Sequence, residues 1–357
     1  MKIIHCSDIH LDSALGHNFS AAQAKARHAE LCAAFARMVQ YAVREHVDAV
    51  LIAGDLFDNS YATVQTVGFV LAQMRTARDV SFFYLRGNHD GGRDALDGYE
   101  LPDNLKVFAD AWTSYRCGDA LITGIELTRE NWDTYYATLE LPENGINIVL
   151  LHGQISTQSG PELIALPKLR NKHIDYLALG HIHSCQKGKL DERGIYCYSG
   201  CLEGRGFDEC GEKGFVLLEA DDRGLRSSFV PFAGRNLHEI CVDITDAETV
   251  TQILTRMEQA AVGICADDLV KFILQGSYTL QTQKDLVFLQ KMLAPQFYLV
   301  KIKDESRLEL ERESYEFDAS LKGEFIRMVL ASDRSEAEKE RMISCGIRAL
   351  NGEEVTL

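Results

Sequence analysis

Five short clusters of aspartate, asparagine and histidine punctuate the first half of a 357-residue chain: Asp8-Ile9-His10, Gly54-Asp55-Leu56-Phe57-Asp58, Gly87-Asn88-His89-Asp90, His152, and Gly180-His181-Ile182-His183. Carboxylate and amide oxygens beside imidazole nitrogens, with no thiolate among them, suit manganese or iron better than a structural zinc. In Asp8-x-His10 and His181-x-His183, alternate residues of an extended segment project the same way, so both members of a pair can face one ion. A carboxylate such as Asp55 can bridge two cations, and two cations about 3.5–4 Å apart clamp a phosphate and lower the pKa of a water between them. Singly the clusters are weak. An Asp-x-His is commonly a surface turn, GDLFD serves as a strand-terminating turn, and a histidine ending an apolar run is commonly a core residue. The joint placement carries the reading, because each cluster follows directly on an apolar run.

Those runs, 2–6, 48–53, 80–85, 146–151 and 174–179, read as strands buried on both faces. The spacing predicts helices over 21–45 and 62–75, and shorter strands at 195–198, 214–218 and 227–230. Strand–helix alternation followed by a β-rich tail predicts an α/β fold, a four-layer α/β/β/α sandwich. In α/β sheets ligands bind beyond the carboxyl ends of the strands, so the clusters converge on one rim. Glycines 54, 87 and 180 permit the tight turns this requires. Asp12, Asp58 and Asp90 lie beside the clusters, where they can orient the ligands or serve as surface polar residues. His5, His17, His28, His46, His173 and His238 lie outside the pattern and read as structural or solvated.

A boundary falls at 232–236, closing a first domain at 1–235. Residues 236–303 follow as a small α+β domain of pattern βαβαβ, with strands at 239–244, 268–274 and 296–302 and helices at 247–261 and 284–293. Residues 304–357 hold an acidic linker and a C-terminal helical pair, 321–331 and 335–350, with Asp333 and Ser335 offering turn and N-cap chemistry between them. Leu321, Phe325, Met328 and Val329 form one apolar stripe, and Ile343, Ile347 and Leu350 another. The stripes either pack on their own domain or form a groove for a partner helix.

Composition narrows the class. At 46% hydrophobic and 25% charged residues, bulk disorder and fibrous architectures are excluded. No apolar run approaches the roughly 18 residues of a membrane span, and the N-terminus turns polar too soon for a signal peptide. The expectation is a soluble, cytoplasmic protein with no membrane partner. A net charge of −16 argues against nonspecific attraction to nucleic acid, but bound cations or a basic partner chain can meet a polyanionic substrate. The ten cysteines contain no CxxC pair. The four between Cys185 and Cys210 fit no zinc knuckle and read as reduced, packed thiols.

The set Asp-x-His, Gly-Asp-x-x-Asp, Gly-Asn-His-Asp, His and Gly-His-Ile-His resembles the calcineurin-like metallophosphoesterases over roughly the first 230 residues. More narrowly, the chain is similar to the SbcD-type DNA repair exonucleases. Asp8-Ile9-His10-Leu11-Asp12-Ser13, and Gly204-Arg205-Gly206-Phe207-Asp208-Glu209 followed by Gly211-Glu212-Lys213-Gly214, resemble the bacterial YhaO branch. The resemblance implies one metal held by Asp8, His10, Asp55 and His183, and a second held by Asp55, Asn88, His152 and His181, with Asp55 bridging. It implies two divalent ions, manganese first and iron or zinc as alternatives. His89 would contact the scissile phosphate as general acid. The family's capping domain and its helical pair, which docks on the coiled coil of an SbcC-like, SMC-type ATPase, would correspond to 236–303 and 321–350. A homodimer is compatible with the resemblance.

Three functions compete. The first is a metal-dependent DNA exonuclease or endonuclease subunit. The second is a small-molecule phosphodiesterase or phosphatase using the same binuclear site, which the acidic balance favours. The third is a non-catalytic partner that binds DNA ends and an ATPase. The residues beyond the sandwich favour the first over the second, and the complete motif set disfavours the third.

Overall fold

The parallel strands that end in the polar clusters are the centre of two six-stranded sheets. The computed structural model describes residues 1–15, 19–58, 61–90, 95–222, 224–279, 282–309, 315 and 317–350. The chain separates into two units, Met1–Leu237 and His238–Leu357.

In the first unit, one sheet runs in the order Gly224–Pro231, Gly214–Asp221, Lys2–Cys6, Ala49–Ala53, Ser81–Leu85, Leu105–Val107. The other runs Gln186–Lys189, Ile195–Tyr198, Tyr176–Gly180, Ile146–His152, Ala120–Gly124, Thr113–Cys117. Within each sheet the central strands are parallel, so their carboxyl ends share one edge, with Ala53 opposite Leu85 and Gly180 opposite His152. Because side chains alternate along a strand, Ile3, Leu51, Phe83, Ile148, Leu150 and Ala178 face one another between the sheets.

The opposite face of the first sheet is covered by the helices Ala21–Arg44 and Val64–Thr76. The longer helix starts at a capping box, in which Ser20 Oγ accepts from Gln23 N–H and Gln23 Oε1 accepts from Ser20 N–H. Its buried residues Leu31, Phe35, Met38, Val39 and Ala42 recur at helical spacing. The far face of the second sheet packs Tyr135, Tyr136, Leu139 and Leu169 against Val149, Leu151, Leu177 and Leu179. The fourth layer is thin there. It consists of a four-residue helix, Tyr135–Thr138, and a 3₁₀ turn, Leu166–Lys168.

The second unit carries a three-stranded sheet, in the order Leu237–Asp243, Leu269–Gln275, Leu299–Asp304. The helices Val250–Ala260 and Leu286–Leu293 pack on it through Ile253, Met257, Leu289 and Leu293. A separate cluster joins Leu308 to Ile326, Val329, Ile343 and Ile347 of the helices Leu321–Leu330 and Glu336–Leu350. The two stripes read from the sequence are therefore divided. Val329, Ile343 and Ile347 are buried within the unit, while Leu321, Met328 and Leu350 are exposed, and Ile326 takes the buried place beside them. Among the described residues no helix is long and apolar enough to cross a membrane.

Candidate metal centre

The carboxyl-end edges of the two sheets meet at glycines. A Cβ on Gly54 would fall 2.0 Å from His152 Nδ1, and one on Gly180 would fall 1.9 Å from the Ala53 carbonyl oxygen. A Cβ on Gly87 would meet Asp55 Oδ1 at 2.2 Å. No other residue type permits these approaches. Hydrogen bonds then stitch the edges together. His181 N–H donates to both Asp8 carboxylate oxygens, at 2.9 and 3.0 Å, and His152 Nδ1 donates to Ala53 O at 2.9 Å. Asp8, His10, Asp55 and His181 all adopt positive φ (53°, 48°, 52° and 100°). Side-chain residues held in this sparsely populated region cluster where function over-determines the backbone.

The donors converge as the five clusters require. His152 Nε2 lies 3.3 Å and His10 Nε2 3.6 Å from Asp55 Oδ2, so this oxygen sits between the two halves of the cluster. Asn88 Oδ1 lies 3.0 Å from His152 Nε2 and 3.3 Å from His181 Nδ1. His183 Nε2 is 3.4 Å from His10 Nε2 and 3.7 Å from Asp8 Oδ1. Two ligands about 2.1 Å from one ion are themselves about 3.0–3.5 Å apart, which these separations approach. Three overlapping triads each bring their donors within 4.8 Å: Asp8–His10–His183, His10–Asp55–His89 and Asp8–Asp55–His152. The residues present therefore fit a pair of divalent cations.

Residues 1–185 match the family model for calcineurin-like phosphoesterases. The chain belongs to that family. The phosphoesterase is 26% identical to the metallophosphoesterase YhaO of Bacillus subtilis, covering 78% of this chain and 72% of that one. It is also 26% identical to the DNA double-strand break repair protein Mre11 of Sulfurisphaera tokodaii, covering 53% and 51%. A third relative, an SbcCD nuclease subunit of Staphylococcus epidermidis, is 23% identical over 71% of this chain and 74% of its own. The phosphoesterase thus spans about half the length of the Sulfurisphaera relative. Calcineurin-like phosphoesterases use a binuclear metal site to hydrolyse phosphoester bonds, and the Asp/His groups at this edge are able to hold such ions.

Burial and charge set the protonation of this edge. Burial, helped by the Arg205 guanidinium, drives His10 neutral, with its pKa down at about 2. Burial opposes a charge on His152 as well, but the adjacent Asp55 carboxylate outweighs it and holds His152 at about 9. Burial likewise works against Asp55, yet His152 and His10 keep its carboxyl below the usual range. The proton of this pair therefore sits on His152, and ligation of a cation there would require the neutral imidazole. Burial raises Asp8. Burial and then the Asp55 charge push Asp90 up to about 7.

The remaining candidates occupy distinct places. Asp90 is buried and accepts from the backbone N–H groups of Leu56, Phe57 and Gly87, tying the Asp55 loop to the Asn88 loop. Asp12 accepts from Thr63 N–H and so holds a neighbouring loop. Asp58 lies 3.9 Å from His89 Nδ1. His89 is the open member, 47% exposed in its side chain, with its ring centroid 4.7 Å from that of His10. His17 lies outside the described residues. His5 is a buried core histidine paired with Tyr176 OH at 2.9 Å. All ten cysteines are free thiols, and among the described residues none joins a metal-ligating group.

Sequence reasoning gave no role to Glu209, Arg205, Lys213 or Ser7, which lie behind the candidate ligands. Glu209 Oε1 accepts from His183 Nδ1 at 2.7 Å and is itself gripped by Arg205 through Nε and Nη2 at 3.0 and 2.6 Å. With Nδ1–H committed to Glu209, the His183 Nε2 lone pair points toward Asp8 and His10. Lys213 Nζ donates to His183 O at 2.7 Å, and Ser7 Oγ bonds both the Asp8 carboxylate and Ser199 Oγ. The available signal was the Gly204–Glu209 segment itself, in which a buried Arg–Glu pair closes a loop after a strand.

Proposed function

We propose that this phosphoesterase is the metal-dependent nuclease subunit of a DNA repair complex, hydrolysing DNA phosphodiester bonds as an exonuclease or endonuclease. The observation that supports it is the convergence of donors from both sheet edges around Asp55, with an open histidine, His89, beside them. Asp8, His10, Asp55 and His183 would hold one cation, and Asp55, Asn88, His152 and His181 the other, with manganese the first choice. When bound, the two ions supply Lewis-acid polarisation of the phosphate and the means to activate water. Asp55 would be common to both ions, and its Oδ1, accepting from His89 N–H at 2.9 Å, fixes the His89 loop against the centre. His89 protonates the departing oxygen, with Asp58 Oδ2 3.9 Å from its Nδ1.

Relatives named for DNA repair and for a nuclease support DNA as substrate. The match to YhaO covers more of the chain than the first unit holds, so the likeness extends beyond the catalytic sandwich. In this reading residues 236–303 shape DNA access, and the helices Leu321–Leu330 and Glu336–Leu350 meet the coiled coil of an SbcC-like ATPase. Phe317, Leu321 and Met328 (88%, 72% and 67% exposed) offer the apolar surface for that contact. Incubating the protein and manganese with end-labelled duplex DNA and with a chromogenic phosphodiester tests the reading. Shortening of the DNA supports it. Cleavage of the chromogenic ester with intact DNA leaves a small-molecule phosphodiesterase, the function the net charge of −16 favours.

A further inference from the structure

On the His10–His183 side of the centre lies a cavity of about 210 Å³ lined by Ser13, Ala14, Leu15, Arg205, Asp208 and Glu209, with the Gly206 backbone. We propose that it is a specificity subsite that takes the nucleoside attached to the scissile phosphate. The proposal rests on the hydrolytic reading of the centre. The lining touches the centre at two points: Ser13 N–H donates to His10 O at 3.2 Å, and Arg205 Nη2 lies 3.3 Å from His183 Nδ1.

The lining is built for a ligand. Ser13 is 3% exposed, and its Oγ has no hydrogen-bond partner among the described residues. A buried hydroxyl left unpaired is a standing cost that an incoming donor or acceptor removes. Arg205 spends Nε and Nη2 on Glu209, which leaves Nη1 for an acceptor. Asp208 is exposed at the same cavity and supplies a carboxylate to hydroxyl or amide donors. Leu15 and Ala14 add apolar wall.

Size and charge choose among occupants. The volume corresponds to about seven waters at ~30 Å³ each, more than one phosphate fills. One guanidinium against two carboxylates leaves a net negative lining, which disfavours a second phosphate. An uncharged polar group with donors, acceptors and a flat apolar face suits it, which describes the sugar and base of a nucleoside. The pocket thus selects nucleotidyl diesters over simple alkyl diesters and over inorganic phosphate.

Three proteins test this: the full chain, Ser13→Ala, and Ala14→Phe, which fills the cavity without removing a polar contact. With manganese, kcat/KM is measured for the 5′- and 3′-(p-nitrophenyl) esters of thymidine phosphate and for methyl p-nitrophenyl phosphate. The preference for the better nucleotide ester should fall about tenfold in Ala14→Phe, through KM, and severalfold in Ser13→Ala. Independently of turnover, calorimetric binding of thymidine monophosphate against inorganic phosphate should show a preference in the full chain that Ala14→Phe removes. Equal discrimination in all three proteins, in both measurements, overturns the subsite. If none of the esters is hydrolysed by the full chain, the phosphodiesterase reading falls instead, and the binding preference still decides the pocket.

Discussion

Replacing Glu209 with glutamine tests how the proposed ligand His183 is held without touching any candidate ligand. The Glu209 carboxylate is 4% exposed and takes hydrogen bonds from Arg205 N, Nε and Nη2 (2.8, 3.0 and 2.6 Å) and from His183 Nδ1 (2.7 Å). Glutamine keeps the volume and one acceptor, but it cannot hold the imidazole tautomer by charge, and it leaves the Arg205 guanidinium without its counter-ion. Loss of a carboxylate behind a metal-bound histidine weakens metal affinity about 10–100-fold, which is ~1.4–2.7 kcal/mol. Glu209 contacts His183, whereas His152 is fixed by Ala53 O and Asn88. Calorimetric titration of manganese into metal-free protein should therefore show one affinity reduced by that factor and the other nearly unchanged. Arg205→Met should add little on top of Glu209→Gln, because both act through the same imidazole. Unchanged affinity at both sites would refute the argument, and so would equal loss at both with the melting temperature preserved.

Asp55→Ala should cost at least one of the two metals and all hydrolysis, read by elemental analysis beside turnover; two retained metals with near-normal rates would overturn the bridging assignment. His89→Asn should keep both metals and lose about 10²–10⁴-fold on DNA, but much less on a p-nitrophenyl ester whose leaving group needs no proton; equal losses on both would make His89 a phosphate-positioning group. Gly180→Ala would force a Cβ to within 1.9 Å of Ala53 O; overpacking of this kind costs about 1–3 kcal/mol or more, a fall of roughly 2–12 °C in Tm for a domain of this size, and calorimetry showing no shift would contradict the close approach. Leu321→Glu with Met328→Glu should leave Tm nearly unchanged while abolishing capture of an SbcC-like ATPase, whereas Ile343→Ala, at a fully buried position, should destabilise the helical pair by about 2–5 kcal/mol; undiminished capture by the double variant would remove the docking proposal.

Much of this was legible because strand and cluster are adjacent in the chain. The apolar run at 2–6 is the strand Lys2–Cys6, and the polar pair Asp8 and His10 lies two and four residues beyond its end. The other clusters follow their strands just as closely, so their convergence needed parallel pairing within each sheet and the meeting of the two sheets at one edge. Glu209 was not readable as a support, because its partner His183 lies 26 residues away and contact across that distance leaves no periodic trace. The strand Thr113–Cys117 was missed because it is polar and half-exposed at a sheet edge. The left-handed backbone at Asp8, His10 and Asp55 was also invisible, since hydrophobic pattern carries no information about φ. In the C-terminal helices the pattern showed amphipathicity but not its orientation. The seam is narrow, and Ile326 with Val329 lies in it while Leu321 and Met328 stay outside.

The seam between the two sheets has a consequence for when the molecule can act. Asp8, His10, Asp55, Asn88 and His89 follow strands of one sheet; His152, His181 and His183 come from the other. Neither half owns a complete ligand set, and the glycines at the junction admit no gap-filling side chain that could hold the halves at a partial separation. If both sets of donors are needed, a nascent or locally opened chain would be chemically silent, and hydrolytic competence would arrive only with full closure of the sandwich. Cations bound across the junction would favour that closed state in proportion to the logarithm of their concentration over Kd. On the proposed ligand assignment the centre would act as an interlock, assembled only in a molecule that has finished folding.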